Sequence, residues 1–142
     1  MEKQELKQRA VSYIEEQKER LIGYGEALYA MPEPGYREYR TSSYVKKVLT
    51  DLGLNIQDKI AITGLKAKAE GKEHKANVGL MGELDAVIDP YAAYVVPAKI
   101  AVCTVIDLLY DGAKEALKIK ENFRPIFDST EAYKAFRAAH EN

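Results

Sequence analysis

From Glu5 to about Met31 the apolar residues Leu6, Tyr13, Ile14, Leu21, Ile22, Leu28 and Tyr29 recur at helical spacing among Glu, Lys and Gln. That spacing predicts one long amphipathic helix. The turn Pro32-Glu33-Pro34-Gly35 ends it, because proline lacks a backbone donor and glycine permits a left-handed conformation. A second helix is predicted from a cap at Thr41 or Ser42, with Tyr44, Val45, Val48, Leu49 and Leu52 on one face and Gly53 as its stop. The segments Leu54–Ile60 and Leu65–Glu70 alternate as half-exposed strands do, whereas Ala76–Gly82 is apolar on both parities, the pattern of a strand covered on both faces. From Pro97 to Leu109 the chain is apolar almost all round, which predicts a largely buried helix that bends at Asp111-Gly112 and runs to about Asn122. Asp128 or Ser129 caps a last short helix, with Tyr133 and Phe136 facing inward. The fold class this implies is α/β, a small sandwich of about three strands and about four helices.

Composition narrows the picture. The 142 residues, 46% hydrophobic and 30% charged, suit one soluble domain spanning residues 1–142. With 21 basic and 22 acidic residues there is no field of one sign, so neither nucleic acid nor an anionic membrane surface is expected as a partner. No uninterrupted apolar run approaches the roughly 20 residues of a membrane span, and the N-terminus is polar rather than an apolar signal core. A single cysteine, Cys103, excludes an internal disulfide and fits a reducing compartment. A cytoplasmic location is the expectation.

Two stretches resemble a known family. Met31-Pro32-Glu33-Pro34-Gly35-Tyr36-Arg37-Glu38, followed by Thr41, is similar to a turn of the aminoacylase and carboxypeptidase type of zinc metallopeptidase. Thr63-Gly64-Leu65 and then Val78-Gly79-Leu80-Met81-Gly82-Glu83-Leu84-Asp85-Ala86-Val87 resemble that family's hairpin and central strand. Pro97-Ala98-Lys99 through Ala113, then Phe123-Arg124-Pro125, is similar to the closing helix and terminus of its amidohydrolase branch. Residues 1–88 thus look like the start of the catalytic domain and residues 91–142 like its C-terminal end. The family's middle, with a His-Ala-Cys-Gly-His metal segment, a Glu-Glu pair, a lid domain and a late histidine, has no counterpart here. The resemblance implies a reduced catalytic domain that arose by deletion, by the joining of two segments or by design as a minimal scaffold.

The same resemblance carries the site expectations. Asp85 stands where the family orients a metal ligand without touching the metal, and is the candidate catalytic position. Glu83 stands where the peptidases often carry a histidine ligand. Glu83 and Asp89 are the candidate metal-binding carboxylates, with solvated or capping roles the favoured reading of both. His74 lies in a charged turn, His140 near the end of the sequence and Cys103 on an apolar helix face, where a packed thiol is the simpler reading than a ligand or nucleophile. Lys66, Lys68, Lys72 and Lys75 read as a guard against strand pairing rather than a phosphate stripe.

A hydrolytic zinc site usually needs three protein ligands and an open position for water. The chain supplies no such set, so zinc belongs to the family and no cofactor is expected for this chain. The function expected is that of an amidohydrolase-like remnant without hydrolysis of its own and without a small-molecule substrate. The alternatives are an interaction module or subunit that pairs through an exposed sheet edge, and an engineered or reconstructed scaffold. Removing the middle strips strands of their neighbours, which implies a homodimer or a domain swap.

Overall fold

The computed structural model describes residues 1–82 and 89–140. Five α-helices and one two-stranded sheet make up the described residues, in the order α1 (Lys3–Glu16), α2 (Lys18–Tyr29), α3 (Tyr39–Asp51), β1 (Asn55–Ile60), β2 (Gly64–Lys68), a π-helical turn (Tyr91–Val95), α4 (Val96–Asn122) and α5 (Thr130–His140). The mixed α/β class is as the pattern implies.

The long first helix is instead two. At Gln17 the backbone departs to φ −92, ψ 6, and its N–H is shared between the carbonyls of Tyr13 and Ile14 at 3.1 Å each. This break lets α1 lie along α4 while α2 turns against the Tyr91–Val95 segment. A single straight helix could not reach both. The second contact depends on Gly25, which is buried because the ring of Tyr94 occupies the space a side chain would need.

Helix α3 ends as its sequence implies. Gly53 adopts φ 79, its N–H reaches the Thr50 carbonyl at 2.8 Å, and the Leu54 N–H reaches Leu49 at 3.2 Å. This is the paired bond pattern of a Schellman stop, with Leu49 and Leu54 as its apolar contact positions. The start of α3 differs from expectation. Neither Thr41 nor Ser42 caps it, because Glu33 is carried back by the proline turn and accepts from the Arg40 and Thr41 backbone N–H groups at 3.0 and 2.8 Å.

Strands β1 and β2 pair antiparallel, with Asn55 opposite Lys68, Gln57 opposite Lys66, and an irregularity between Gln57 and Ile60. A Cβ on Gly64 would lie 2.5 Å from the Ile60 carbonyl oxygen, so the close of this hairpin requires glycine. The expected third strand does not form. Residues 76–82 have no regular structure, and Leu80 and Met81 are 65% and 94% exposed. A strand of that composition is stable only between neighbours that cover both faces, and the described residues supply no such neighbours.

Helix α4 runs through the anticipated bend. Tyr110 has ψ 151, and Asp111, Gly112 and Ala113 all have φ between 54 and 71. It is less buried than its sequence implies, with Ile100 62% exposed. Its polar anchors account for its placement. Lys7 pairs with Asp107 at 2.5 Å, Lys3 with the same carboxylate at 3.4 Å, and Lys99 with Glu15. Together with the turn before it, α4 forms a 32-residue helical stretch, Tyr91–Asn122, long and apolar enough by length and composition to cross a membrane. The sequence reading missed this because Lys99 and Asp107 interrupt every apolar run, whereas mean hydropathy over a window, 1.8 here, absorbs two charges.

Helix α5 is capped by Ser129, whose Oγ accepts from the Ala132 N–H at 3.0 Å. Its Tyr133 and Phe136 do not face inward. They are 44% and 48% exposed and touch the Phe127 ring at centroid distances of 5.4 and 5.2 Å. The fully sequestered apolar core of the described residues is confined to Val95 and Ala113.

Candidate functional site

Glu33, Glu38, Thr41 and Thr63, four of the residues quoted for the resemblance, meet in space around the start of α3. The Glu33 carboxylate takes three hydrogen bonds, from the N–H groups of Arg40 and Thr41 and from the Thr41 hydroxyl at 2.8 Å. Thr41 is buried. Glu38 accepts from the Tyr36 N–H at 2.8 Å and from the Thr63 hydroxyl at 2.7 Å. The Ser42 hydroxyl donates to the Thr63 carbonyl at 2.6 Å. Glu33 and Glu38 thereby join the proline turn to α3 and α3 to the hairpin.

These bonds set the chemistry of the two acids. The Thr41 N–H holds Glu33 below the usual carboxylate range, and the Thr63 hydroxyl does the same for Glu38. A carboxylate so stabilised is a weak proton acceptor at neutral pH, which suits a structural bracket better than a general base.

Of the candidate site residues, Glu83, a metal candidate, and Asp85, the candidate catalytic position, lie outside the described residues. Asp89 is described, and its Oδ1 accepts from the N–H groups of Tyr91 and Ala92 at 2.9 and 3.0 Å. It caps the π-helical turn. His74 is exposed, with Nδ1 3.7 Å from the Glu70 carboxylate. His140 stacks on Phe136 at 4.2 Å and places Nδ1 2.8 Å from the Phe136 carbonyl. Cys103 is a free thiol, half-buried on α4. Among the described residues no three of His, Cys, Asp and Glu gather closely enough to hold a metal ion.

An open depression of about 470 Å³ lies between α3 and the hairpin, lined by Tyr39, Ser42, Ile62, Thr63 and Leu65, with Lys46 and Asp58 at its edge. Lys46 and Asp58 neutralise each other at 2.5 Å, and the Lys46 ammonium holds Asp58 below its ordinary range.

The most concentrated polar cluster was missed by the sequence reading. Glu15 receives Lys99 and, at 2.8 Å, the Tyr91 hydroxyl on one oxygen, and Lys18 at 3.1 Å on the other. Lys99 above all, then Tyr91 and Lys18, lower its pKa from 4.5 to about 2. The available signal was the spacing: Lys99 and Asp107 are the charges within an apolar helix, eight residues apart, and Lys7 and Glu15 repeat that interval on α1.

No known protein family, curated protein or solved structure matches the chain.

Proposed function

We propose that this chain is an amidohydrolase-like catalytic domain in reduced form, without hydrolytic activity of its own and without a bound cofactor, working in a reducing compartment such as the cytoplasm. The observation that supports the reading most directly is the bracket around α3. Glu33, Glu38, Thr41 and Thr63, quoted above for the resemblance, form one hydrogen-bonded unit at the junction of turn, helix and hairpin. The acids of that unit, and Asp89 with them, are committed to backbone or hydroxyl donors. Zinc titration by calorimetry, run alongside hydrolysis of N-acyl amino acids, tests the proposal. Neither heat nor turnover is the expected result; micromolar zinc affinity accompanied by turnover overturns it.

A second reading, an interaction module that forms a homodimer or swaps segments through its sheet edge, is favoured by the surface area. The chain exposes 11334 Å². A folded monomer of 15.9 kDa is expected to expose about 7,400 Å². The surplus, about 4,000 Å², exceeds what a standard interface covers on one partner, about 800 Å². Hydrogen exchange along β1 and β2 should slow as protein concentration rises. A monodisperse monomer by light scattering at high concentration refutes the pairing.

A further inference from the structure

We propose that the depression between α3 and the hairpin is a binding site for a small carboxylic acid with an apolar body, its carboxylate paired with Lys59. The site is independent of the amidohydrolase reading, and its occupant is a ligand rather than a substrate. Asp58 and Lys59 are adjacent in the chain, yet both line the depression. A regular strand sends such neighbours to opposite faces. The irregularity between Gln57 and Ile60, with Lys59 at φ 58, removes that alternation and brings the lysine round to the side of Asp58. In the turn that follows, Ala61 has φ 47 and Ile62, which also lines the depression, has φ 89. Left-handed backbone is disfavoured for residues other than glycine, and most of all for a β-branched one. The strained stretch thus sets an ammonium and an isoleucine along one concave surface, and strain of this kind gathers where a protein holds a ligand.

The lining determines what the ligand carries. Asp58 is already paired with Lys46 at 2.5 Å, which leaves it no place for a cation. Lys59 acts on that carboxylate only through its field, without a hydrogen bond, and has no ion-pair partner among the described residues. With Lys46 and Asp58 cancelling each other, the charges along the depression sum to the single positive one of Lys59, which suits a monoanion. A phosphate is usually met by arginine forks or a cradle of backbone donors, and no arginine lines the depression. Tyr39, Ile62 and Leu65 make the wall apolar. Tyr39 and Ile62 are 60% and 57% exposed, so a hydrocarbon body that covers them removes apolar surface from water on both sides. The volume of about 470 Å³ lies within the range of about 300–1,000 Å³ common to small-ligand sites. An acid of about ten non-hydrogen atoms in so open a site should bind with a Kd on the order of 0.1–1 mM.

Titration of the isotope-labelled full chain with sodium octanoate, followed by amide chemical shifts, tests the site. The shifts should saturate and centre on the residues around Tyr39–Lys46 and Asp58–Leu65. Lys59→Gln should weaken octanoate about tenfold, and Lys59→Arg should keep most of the affinity. Ile62→Asn, a residue that accepts left-handed backbone, should weaken octanoate several-fold without lowering the melting point. Acetate, with the charge but no apolar body, should not saturate over the same range, and octanol should bind weakly and equally to the unaltered chain and Lys59→Gln. Absence of saturation, shifts centred on α4 or α5, or octanoate binding that Lys59→Gln leaves unchanged overturns the proposal. Equal responses to octanoate and octylamine overturn it as well, and displacement of octanoate by millimolar inorganic phosphate overturns the carboxylate assignment in favour of a general anion site.

Discussion

Helix α2 contains a pair of glycines that should respond to the same substitution with opposite sign. Gly23 has no atom within 4 Å of the position a Cβ would take, whereas at Gly25 that position lies 2.1, 2.3 and 2.6 Å from Cε2, Cζ and Cδ2 of Tyr94. Both are interior to the helix, where alanine is favoured over glycine by about 1 kcal/mol. Gly23→Ala should therefore stabilise by about 0.5–1 kcal/mol. Gly25→Ala gains the same propensity but drives a methyl into the Tyr94 ring, which must shift to admit it, and overpacking of this kind costs about 1–3 kcal/mol. The net is a loss of about 1–2 kcal/mol, seen as a melting point lower by several degrees, at about 2–4 °C per kcal/mol for a chain of this size. Urea denaturation followed by circular dichroism measures both variants. In a Tyr94→Ala background the obstruction is gone, and Gly25→Ala should become neutral or stabilising. Equal shifts for Gly23→Ala and Gly25→Ala, or a Gly25→Ala penalty that survives Tyr94→Ala, would refute the claim that α2 docks on the turn through Gly25.

Three further outcomes follow from the contacts described. Glu15 has its pKa lowered from 4.5 to about 2 in the fold, so the stability it lends is complete above pH 4.5 and is lost as the pH falls toward 2; an acid titration by tyrosine fluorescence should show this loosening of α1 from α4, and Glu15→Gln should flatten it. Thr41→Val keeps the volume but removes the buried hydroxyl that bonds Glu33 and the Met31 carbonyl, which should cost about 1–2 kcal/mol in a thermal melt and weaken protection of the Arg40 and Thr41 amides. Gly53→Ala places a side chain at φ 79, which should cost about 1 kcal/mol; an unchanged melting point would show that the α3 stop does not need its left-handed residue.

What the sequence revealed divides along physical lines. Local stops and caps were legible, because a proline turn, a glycine after a helix or a serine before one acts through its own backbone: Gly53, the bend at Asp111-Gly112 and the cap at Ser129 all appear where the pattern puts them. Burial was not legible. Tyr133, Phe136, Ile100, Leu80 and Met81 have the composition of interior residues and are exposed, since composition reports what a segment could bury and not whether a neighbour exists. The cap of α3 failed for a related reason. Thr41 and Ser42 were credited by proximity, and the acceptor that does the capping, Glu33, is eight residues before Thr41, brought back by a turn. The site expectations rested on the resemblance rather than on spacing. Asp89 is drawn into a capping role, and Glu83 and Asp85 fall outside the described residues.

The pairing of α1 with α4 shows how so little buried surface can still define an arrangement. Helix α4 between Val96 and Leu109 is apolar on most of its circumference and could slide or rotate against a neighbour with little change in contact, because greasy surfaces are poor at fixing register. Its two charges remove that freedom. Lys99 and Asp107 are separated by about 12 Å along the helix, as are Lys7 and Glu15, and the same antiparallel register satisfies both pairs at once. A slip of one turn would break the Lys7–Asp107 and Lys99–Glu15 pairs together. Exposed ion pairs of this kind add little stability, so their contribution is selection of one alignment among several of similar energy. The consequence is a chain whose internal geometry is specified by polar contacts, at α1 with α4 and at the Glu33 and Glu38 bracket, while its apolar faces on α4 and α5 stay uncovered. Specification and burial are usually supplied by the same contacts in a domain of this size. Here they are separated, which is the condition under which a second copy can add burial without altering the fold.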